Sequence, residues 1–434
     1  MSEASFNKFQ LSKGEEHFMQ ASVTYRSSCR CCQSTNLERI LSLPEMPLHD
    51  QFITDKLLEQ EFKENLDIYV CLNCYTVQTQ HDVDLSAYYE DYQYSVGHSK
   101  TATTFMEALA DALLSKYFPN TNNLRVLEVG SGDGSQLLPF KKMGCEVLGY
   151  EPSAPVAKIA EERGITTIQG LFDKNSLDKL PENFKNNSVD IVVTSYTFDH
   201  LPDPVDFLQA VKLILNPDRG LLVVEVHDIE QLLSRREFCL FQHEHSIYLS
   251  EMAAQTMLER QEYAIIDFDI VPESVRRANS LIFVATPNQS SFTSKKISPV
   301  DQPHWRGLTF YQSQADQIQE GIHNLDRLVD KLTQSGRKVA GYGAGGRGIL
   351  TLAAMSNGHK LEYVVDKKPK GVGIYTSKSH VPVFGLEKLK ESPVDDILVF
   401  SFGYMKEIQE DLQPFGYKAD QFYSMIDVTE GKVS

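Results

Sequence analysis

The sequence predicts an α/β protein in which a cysteine-rich N-terminal part precedes two Rossmann-like parts. Short apolar runs rich in Val and Ile alternate with helix-like segments between residues 124 and 285, and the pattern returns after residue 338. The first strand of each alternating part leads into a glycine-rich turn, and five of the seven cysteines lie within the first 74 residues. Alternation of strands and helices is typical of a parallel, doubly wound sheet.

Length and charge exclude several classes of protein. The 434 residues suffice for about two to four domains. The 42 basic and 59 acidic residues give a net charge of −17, which disfavours nucleic acid as a partner because phosphate binding needs a basic surface. No apolar run approaches the ~18–20 residues of a membrane helix, and the N-terminal segment has no signal-peptide pattern. We therefore expect a cytoplasmic protein that binds neither membranes nor nucleic acid.

The chain is predicted to divide into domains at residues 1–82, 83–290 and 291–434. A polar, turn-rich segment, PNQSSFTSKKISPVDQP, marks the second boundary. Helical spacing of apolar residues predicts helices over TATTFMEALADALLSKYF and over residues 306–335. The middle of the first domain, LPEMPLHDQF, is predicted to be a loop. The predicted strands are RVLEVG, EVLGYE, DIVVTSY, GLLVVEV, AIIDFDI, SLIFVAT, KVAGYG, LEYVVD and DDILVFSF.

Two Cys-x-x-Cys pairs predict a metal site in the first domain. Cys29 and Cys32 form one pair, and Cys71 and Cys74 form the other after 38 intervening residues. Four thiolates suit a tetrahedral zinc ion with no open position, which makes the site structural. Cys31 competes with Cys32 as the second ligand, but a pair at i, i+2 has poorer geometry for one ion, which favours Cys32. A set of free, partly buried cysteines is the alternative to zinc. The remaining cysteines, Cys145 and Cys239, are expected in the core.

The turn LEVGSGDGSQL, residues 127–137, predicts a nucleotide-like ligand in the second domain. Its glycines permit a tight turn and a close approach of a ligand to the backbone. No Gly-Lys-Ser/Thr follows, which excludes a P-loop. Glu128 precedes the first glycine and would repel a pyrophosphate but attract a cation. The next strand ends at Glu151, where a carboxylate can accept both hydroxyls of a ribose.

These features favour S-adenosylmethionine (SAM), because its methionine part carries an ammonium and a sulfonium. A nicotinamide dinucleotide and a turn without a ligand are the alternatives. The predicted cofactor-binding residues are Glu128, Gly130, Ser131, Gly132, Gly134 and Glu151.

A second glycine-rich turn, KVAGYGAGGRG at residues 338–348, begins the last part of the chain. Its glycine spacing and an acidic residue at the end of the next strand, Asp366, match a dinucleotide site. Backbone amides of this turn and Arg347 would also suit a diphosphate. Arg276 and Arg277 are further candidates for binding a diphosphate from the second domain.

The whole chain resembles the bacterial deoxysugar C-methyltransferases of the tetronitrose and mycarose type. These enzymes methylate carbon 3 of nucleotide-linked 4-keto sugars. The resemblance rests on three motif sets in order: CRCCQS, the LHDQF loop and CLNCYTVQ; then LEVGSGDG, GYEPS and QHEHSIYLS; then GYGAGGRG, YVVDKKPKGVG and HVPV. The chain departs from the family at Gly132-Asp133-Gly134, where Asn-Asp-Gly is usual, at Gln242, which replaces a tyrosine, and in VRRANSLIF.

The resemblance implies an N-terminal zinc-binding domain, a class I methyltransferase domain and a C-terminal domain that holds the sugar nucleotide without its own redox cofactor. It implies that His245 is the base that removes the proton on carbon 3, since an imidazole has a pKa near neutrality. His243 is expected to be structural. The other predicted catalytic residues are Glu244, His200 and Tyr94. The predicted substrate-binding residues are Gln242, Tyr248, Gly343, Ala344 and Arg347.

The expected activity is therefore SAM-dependent methylation of carbon 3 of a nucleotide-linked 4-keto-6-deoxy sugar through an enolate. Two alternatives remain at this point: a methyltransferase that acts on oxygen or nitrogen, and a scaffold that binds zinc and SAM without catalysis. The stereochemistry of the sugar, its nucleoside and the oligomeric state are left open.

Overall fold

A computed structural model describes residues 21–49, 52–54, 61–85, 89–90, 97, 99–292 and 307–433. The strands are β1 Val23–Tyr25, β2 Leu37–Met46, β3 Phe52–Thr54, β4 Glu64–Cys71, β5 Val77–Thr79, β6 His81–Val83, β7 Arg125–Val129, β8 Glu146–Glu151, β9 Thr167–Gln169, β10 Ile191–Ser195, β11 Leu221–His227, β12 Ile247–Tyr248, β13 Tyr263–Phe268, β14 Ser280–Pro287, β15 Val339–Tyr342, β16 Tyr363–Asp366, β17 Ile374–Thr376, β18 Val383–Gly385, β19 Asp396–Val399 and β20 Phe422–Ser424.

The α-helices agree with the amphipathic patterns in the sequence. The two long predicted helices are confirmed as α1 and α7. Among the described residues, no helix combines the length and the apolarity that crossing a membrane requires. The helices are α1 Lys100–Tyr117, α2 Leu137–Lys142, α3 Ala154–Glu162, α4 Pro204–Ile214, α5 Ile229–Ser234, α6 Glu251–Arg260, α7 Leu308–Gln334, α8 Gly346–Ala354, α9 Lys388–Glu391, α10 Met405–Leu412 and α11 Met425–Thr429.

The N-terminal part contains an antiparallel sheet in the order β12-β5-β4-β2. The prediction that LPEMPLHDQF is a loop is wrong for its first half, because β2 continues to Met46 and pairs along β4. The register shifts between Leu43 and Met46, and this irregularity accommodates Pro44, which has no N–H to donate. Burial of Leu43 and Met46 keeps the strand against the core.

The central part contains a seven-stranded sheet in the order β13-β14-β11-β10-β7-β8-β9. Five neighbouring strands, from β9 to β11, are parallel as predicted. Strand β14 departs from the parallel arrangement of these five strands and runs antiparallel to β11 and β13. The connection 269–279 contains no α-helix, and a short connection favours an antiparallel neighbour over a parallel crossover.

The C-terminal part contains a parallel sheet in the order β18-β16-β15-β19-β20. The predicted strands after residue 338 are confirmed as β15, β16 and β19, and Asp366 ends β16 as expected. The alternation of strands with helices after α7 thus produces a second Rossmann-like unit.

Strand pairing crosses the predicted domain boundaries in two places. Strand β12 of the central part adds to the N-terminal sheet, with Ile247 opposite Gln78. Strand β3 pairs with β17 of the C-terminal part, with Thr54 opposite Ile374. The largest apolar cluster likewise contains side chains from all three parts. The boundaries at 82/83 and 290/291 remain predictions, and the N-terminal part shares a sheet with each of the other two parts.

Candidate active site

Four cysteine sulfurs converge in the N-terminal part. The Sγ atoms of Cys29, Cys32, Cys71 and Cys74 all lie within 4.8 Å of one another. The Sγ atoms of Cys29 and Cys74 are 3.5 Å apart, as are those of Cys32 and Cys71. Four thiolates that bind one zinc at about 2.3 Å are about 3.8 Å apart, so these residues fit a closed, tetrahedral zinc site. A site without an open position is structural.

The positions of the sulfur atoms show that Cys32, and not its neighbour Cys31, belongs to the cluster. Cys31 is not one of the four converging cysteines, and its Sγ lies 3.5 Å from the Sδ of Met257 in α6. The sulfur of Cys32 faces Cys71 instead. The structure therefore brings Cys32 into the four-sulfur cluster and uses Cys31 for packing against the central part. Cys145 and Cys239 are buried, as expected of core residues.

The first glycine-rich turn lies between the carboxyl ends of β7 and β8. Gly130 and Gly132 have φ values of +74° and +52°, a backbone region that favours glycine. A Cβ on Gly130 would lie 2.1 Å from Thr197 Oγ1, whereas a Cβ on Gly132 would meet no atom within 4 Å. Gly130 thus allows close packing inside the protein, and Gly132 faces the open side where a ligand would lie.

Two carboxylates shape this turn. Glu151 Oε2 accepts the N–H of Gly132 at 2.8 Å, and Oε1 accepts the N–H of Ser153 at 2.9 Å. Glu128 is 3 % exposed, and its Oε2 has no hydrogen-bond partner among the described residues. Burial and the nearby Glu151 raise the pKa of Glu128 well above its ordinary value. A buried carboxylate with an unpartnered oxygen fits a cationic ligand, as the sequence predicted for the methionine part of SAM.

A cluster of imidazoles lies beside the turn. Thr197, which contacts Gly130, precedes a short 3₁₀ turn, Phe198–His200, after β10. Strand β10 ends at Ser195, and the predicted catalytic residue His200 lies in this turn. The His200 and His245 rings are 4.7 Å apart between centroids. The predicted base therefore lies next to the strand end that contacts the cofactor turn.

The hydrogen bond of His245 fixes which of its nitrogens accepts a proton. Nδ1 lies 3.1 Å from the carbonyl oxygen of Leu240, which can only accept, so Nδ1 carries the proton. Nε2 is then the unprotonated nitrogen. Burial lowers the pKa of His245 well below its ordinary value of 6.5, and His200 lowers it further. The imidazole is therefore neutral at pH 7 and has an available lone pair.

The neighbouring residues Glu244 and His243 join the central part to the N-terminal part. Glu244 Oε1 accepts the N–H of His49 at 2.8 Å. His243 Nε2 donates to the carbonyl of Met46 at 3.0 Å, and its Nδ1 lies 2.7 Å from His81 Nε2. Burial, with a contribution from His81, lowers the pKa of His243 to about 3. These contacts agree with the structural role predicted for His243.

The predicted substrate residues Gln242 and Tyr248 contact each other. The Tyr248 hydroxyl accepts the N–H of Gln242 at 2.9 Å, and Tyr248 is 1 % exposed. The Tyr248 ring also packs against His245, with 5.9 Å between centroids. Tyr248 thus holds the loop that carries the predicted base, while its role in substrate binding stays a prediction.

Tyr89 is a residue of the site that the sequence did not single out. Its hydroxyl lies 2.9 Å from His200 Nδ1. It belongs to the run YYEDYQYS, from which the sequence analysis selected Tyr94. Tyr94 lies outside the described residues. An aromatic run alone does not show which ring reaches the site, so Tyr89 could be recognised only from the fold.

His49 is the second residue that sequence reasoning missed. A Cβ on Gly346, the first residue of α8, would lie 1.8 Å from His49 Cδ2, so the imidazole packs directly on the second glycine-rich turn. The same residue donates its N–H to Glu244. His49, in the LHDQF segment, is therefore the point at which all three parts of the chain meet.

The C-terminal turn is closed by internal bonds. Gly343 has a φ of +100° and donates its N–H to Val365, and Ala344 donates its N–H to Asp366 at 3.0 Å. Arg347 pairs with the buried Glu237 at 3.1 Å. A diphosphate role for Arg347 stays a prediction, and in this structure its guanidinium neutralises a carboxylate of the central part.

The arginine pair of the central part is also ion-paired. Arg276 contacts Asp269 at 2.5 Å, and Arg277 binds Glu225 through two nitrogens. Burial of Glu225 makes Arg277 its counter-charge. The expectation that these two arginines bind a diphosphate finds no support in their contacts.

Three family models match the chain in succession. A zinc-binding domain matches residues 29–89, a methyltransferase domain matches residues 102–267, and a C-methyltransferase C-terminal domain matches residues 299–426. The C-methyltransferase NovU of Streptomyces niveus is 25 % identical over 403 residues, which cover 92 % of this chain and 94 % of NovU. Together these similarities support a SAM-dependent C-methyltransferase.

Other relatives and solved structures are similar to shorter stretches of the chain. A ubiquinone biosynthesis O-methyltransferase of Cereibacter sphaeroides is 32 % identical over 104 residues, 23 % of this chain and 40 % of that protein. A crystal structure of magnesium protoporphyrin IX methyltransferase from Synechocystis PCC 6803 with bound SAM covers 46 % of this chain and 87 % of its own, with 15 % identity and a TM-score of 0.33. The PH0226 protein from Pyrococcus horikoshii covers 46 % and 98 %, with 18 % identity and a TM-score of 0.36.

Loss of one cysteine of the cluster is expected to remove the zinc. Cys71→Ser should lower the bound zinc from one ion per chain towards none and lower the melting temperature, because metal bound only by the folded state adds its binding energy to folding. SAM affinity should change little. Metal analysis and calorimetry measure both effects. Cys145→Ser, outside the cluster, is the control that keeps its zinc, and zinc-free wild-type protein would contradict the prediction.

Removal of either carboxylate at the first turn is expected to weaken SAM binding. Glu128→Ala and Glu151→Ala each delete a charged hydrogen-bond acceptor worth about 1.5–3 kcal/mol, or about 10- to 150-fold in affinity. Titration calorimetry with SAM measures the change. Glu146→Ala, at the exposed start of β8, is the matched control with unchanged affinity. Wild-type affinity in both turn variants would place the cofactor elsewhere.

Proposed function

We propose that this C-methyltransferase methylates carbon 3 of a nucleotide-linked 4-keto-6-deoxy sugar through an enolate. The observation that carries the proposal is the buried, neutral His245, whose Nε2 is left as a proton acceptor beside the cofactor turn. The similarity to NovU over nearly the whole of both chains supports it, as does the order of the three domain models.

Methylation at carbon requires a carbon nucleophile. A sugar carbon next to a ketone is acidic enough to lose its proton to a positioned base, which leaves an enolate. SAM, when bound, supplies an electrophilic methyl group for that carbon and leaves as S-adenosylhomocysteine. The protein's own contribution is to position the sugar, remove the proton and stabilise the enolate charge.

The residues of the imidazole cluster divide these tasks. His245 Nε2 takes the proton from carbon 3. Tyr89 donates its hydroxyl hydrogen to His200 Nδ1, so that His200 Nε2 carries a proton and donates it to the developing enolate oxygen. Glu244 orients its neighbour through its bond to His49. Tyr94, from the aromatic run outside the described residues, is proposed as a further sugar contact.

The nucleotide-linked part of the substrate is assigned to the junction of the three parts. Gln242 and Tyr248 border the base on one side. Gly343, Ala344 and Arg347 belong to the turn on which His49 packs, and His49 also donates its N–H to Glu244, the neighbour of His245. This arrangement supports a substrate that extends from the base towards the C-terminal part.

An assay on a panel of nucleotide-linked keto sugars tests the proposal. With SAM present, a 4-keto-6-deoxy sugar should gain one methyl group on carbon 3, as shown by mass spectrometry and carbon-13 NMR. Without SAM and in D₂O, the proton on carbon 3 should exchange for deuterium if the enolate forms reversibly. A product methylated on oxygen or nitrogen, with no exchange, would overturn the proposal.

Loss of the His245 imidazole is expected to reduce turnover strongly while leaving cofactor and substrate binding nearly unchanged. His245→Ala should reduce kcat by about 10²–10⁴-fold, the usual contribution of a positioned base, and should stop exchange at carbon 3. Glu244→Gln should be milder, because the amide oxygen still accepts the N–H of His49. His359→Ala removes an exposed histidine and is the control. A folded His245→Ala protein with wild-type activity would exclude this residue as the base.

The pH dependence follows from the direction of the pKa shift. The base must be unprotonated, so the rate rises with pH as His245 loses its proton. Burial places that pKa well below 6.5, and we therefore expect the rise at acidic pH and a level rate around neutrality. The pH profile of kcat, measured where proton removal limits the rate, checks this. A rise centred at or above pH 6.5 would contradict it.

A further inference from the structure

The carboxylate of Asp199 and the imidazole of a third histidine, His227, lie close to the proposed base, His245. Asp199, in the turn after β10, and His227, the last residue of β11, form a hydrogen bond of 2.8 Å between Oδ2 and Nδ1. An ionised carboxylate only accepts, so the His227 Nδ1–H donates. One nitrogen or carboxylate oxygen from each of Asp199, His227 and His245 lies within 4.8 Å of the other two.

Packing holds this pair in place. The His227 ring lies 4.9 Å from the His245 ring and 4.7 Å from the Tyr196 ring, measured between centroids. Tyr196 has a φ of +49°, which is strained for a tyrosine, and the Cζ atom of Arg277 lies 4.6 Å from the centroid of the Tyr196 ring. Arg277 is itself anchored by Glu225. A column of packed side chains therefore fixes the ring of His227 beside that of His245.

The groups around His245 act in opposite directions on its pKa. Asp199 is 1 % exposed, and its Oδ1 has no hydrogen-bond partner among the described residues. Burial would raise the pKa of Asp199, but the hydrogen bond from His227 and the positive potential of His245, His227 and His200 hold it below its ordinary value. His200 and His227 disfavour a positive charge on His245, and Asp199 favours it.

We propose that Asp199 and His227 are a positioning pair that stabilises the positive charge formed on His245 when its ring takes the substrate proton. In that step the C–H bond of carbon 3 breaks, its electron pair stays on the sugar as the enolate, and the proton bonds to His245 Nε2. The buried imidazolium then has Asp199 as its nearby negative charge, since the Leu240 carbonyl offers only a dipole. This role rests on the proposed function of His245 as the base.

Removal of the Asp199 charge should have two linked effects, one on kcat and one on the pH profile. Loss of a residue with a purely structural role would not produce both. Asp199→Asn should lower kcat by about 10- to 100-fold with little change in KM, because the base is weaker. It should also move the acidic rise of the pH profile to lower pH, because the protonated ring has lost its counter-charge. Asp199→Glu keeps the charge and should restore the position of the rise.

The matched control is Asp190→Asn. Asp190 is another buried carboxylate, placed directly before β10 at the opposite end of the same strand, where it pairs with Arg219. Its loss should lower the melting temperature without moving the pH profile. His227→Asn is the second variant. It should lower kcat and shift the pKa of His245 less than Asp199→Asn does, because the carboxylate remains.

NMR titration of the labelled His245 ring in the substrate-free enzyme measures the pKa directly and needs no sugar. A lower pKa in Asp199→Asn than in wild type supports the pair even if no keto sugar is methylated, in which case only the proposed function fails. An unchanged pKa of His245 in Asp199→Asn overturns the proposed role of Asp199 and His227.

A second zinc ion per chain that is lost in Asp199→Asn also overturns this role, because Asp199, His227 and His245 then form a metal site. If Asp199→Asn does not fold, wild-type kcat in His227→Asn overturns the proposal.

Discussion

The pairing of β12 with β5 is the interaction on which the rest of the site depends. It lays the segment 242–248 against the N-terminal sheet and so determines where His245 lies. Strand β5 follows Cys71, the last residue of β4, and Cys74, in the turn after β4, so the four-sulfur cluster holds the sheet edge that receives β12. A zinc site without an open position would thereby act on the proposed active site through geometry alone, by fixing the strand that follows His245.

The burial of His245 at the junction of the three parts has two opposing effects on its protonation. Burial removes water from His245 and keeps its imidazole neutral, which makes a lone pair available but also makes the ring a weaker base. The same burial strengthens the interaction of any charge that forms there with Asp199. A neutral resting state and a stabilised protonated state can therefore coexist, because the carboxylate acts most strongly when the ring becomes charged.

The three parts of the chain meet through polar contacts as well as shared sheets. Arg30, 1 % exposed in the N-terminal part, donates to the carbonyl of Pro202 at 2.9 Å, beside the turn that holds His200. Arg347 and Glu237 join the C-terminal part to the central one. The first contact gives a hydrogen-bond acceptor to a buried guanidinium, and the second neutralises the buried carboxylate of Glu237. The relative placement of the parts and the geometry of the site therefore stabilise each other.

The sequence by itself determined the features that depend on local pattern. Helical spacing predicted α1 and α7, apolar runs predicted β7, β8, β10, β11, β13, β14, β15, β16 and β19, and the Cys-x-x-Cys spacing predicted the cluster. Only the tertiary structure decided that β14 is antiparallel, that Cys32 rather than Cys31 joins the cluster, and that His49, Tyr89, Asp199 and His227 surround the predicted catalytic residues. The physical reason is that periodicity and spacing act within one segment, whereas strand pairing and side-chain contacts between distant segments depend on how whole elements pack.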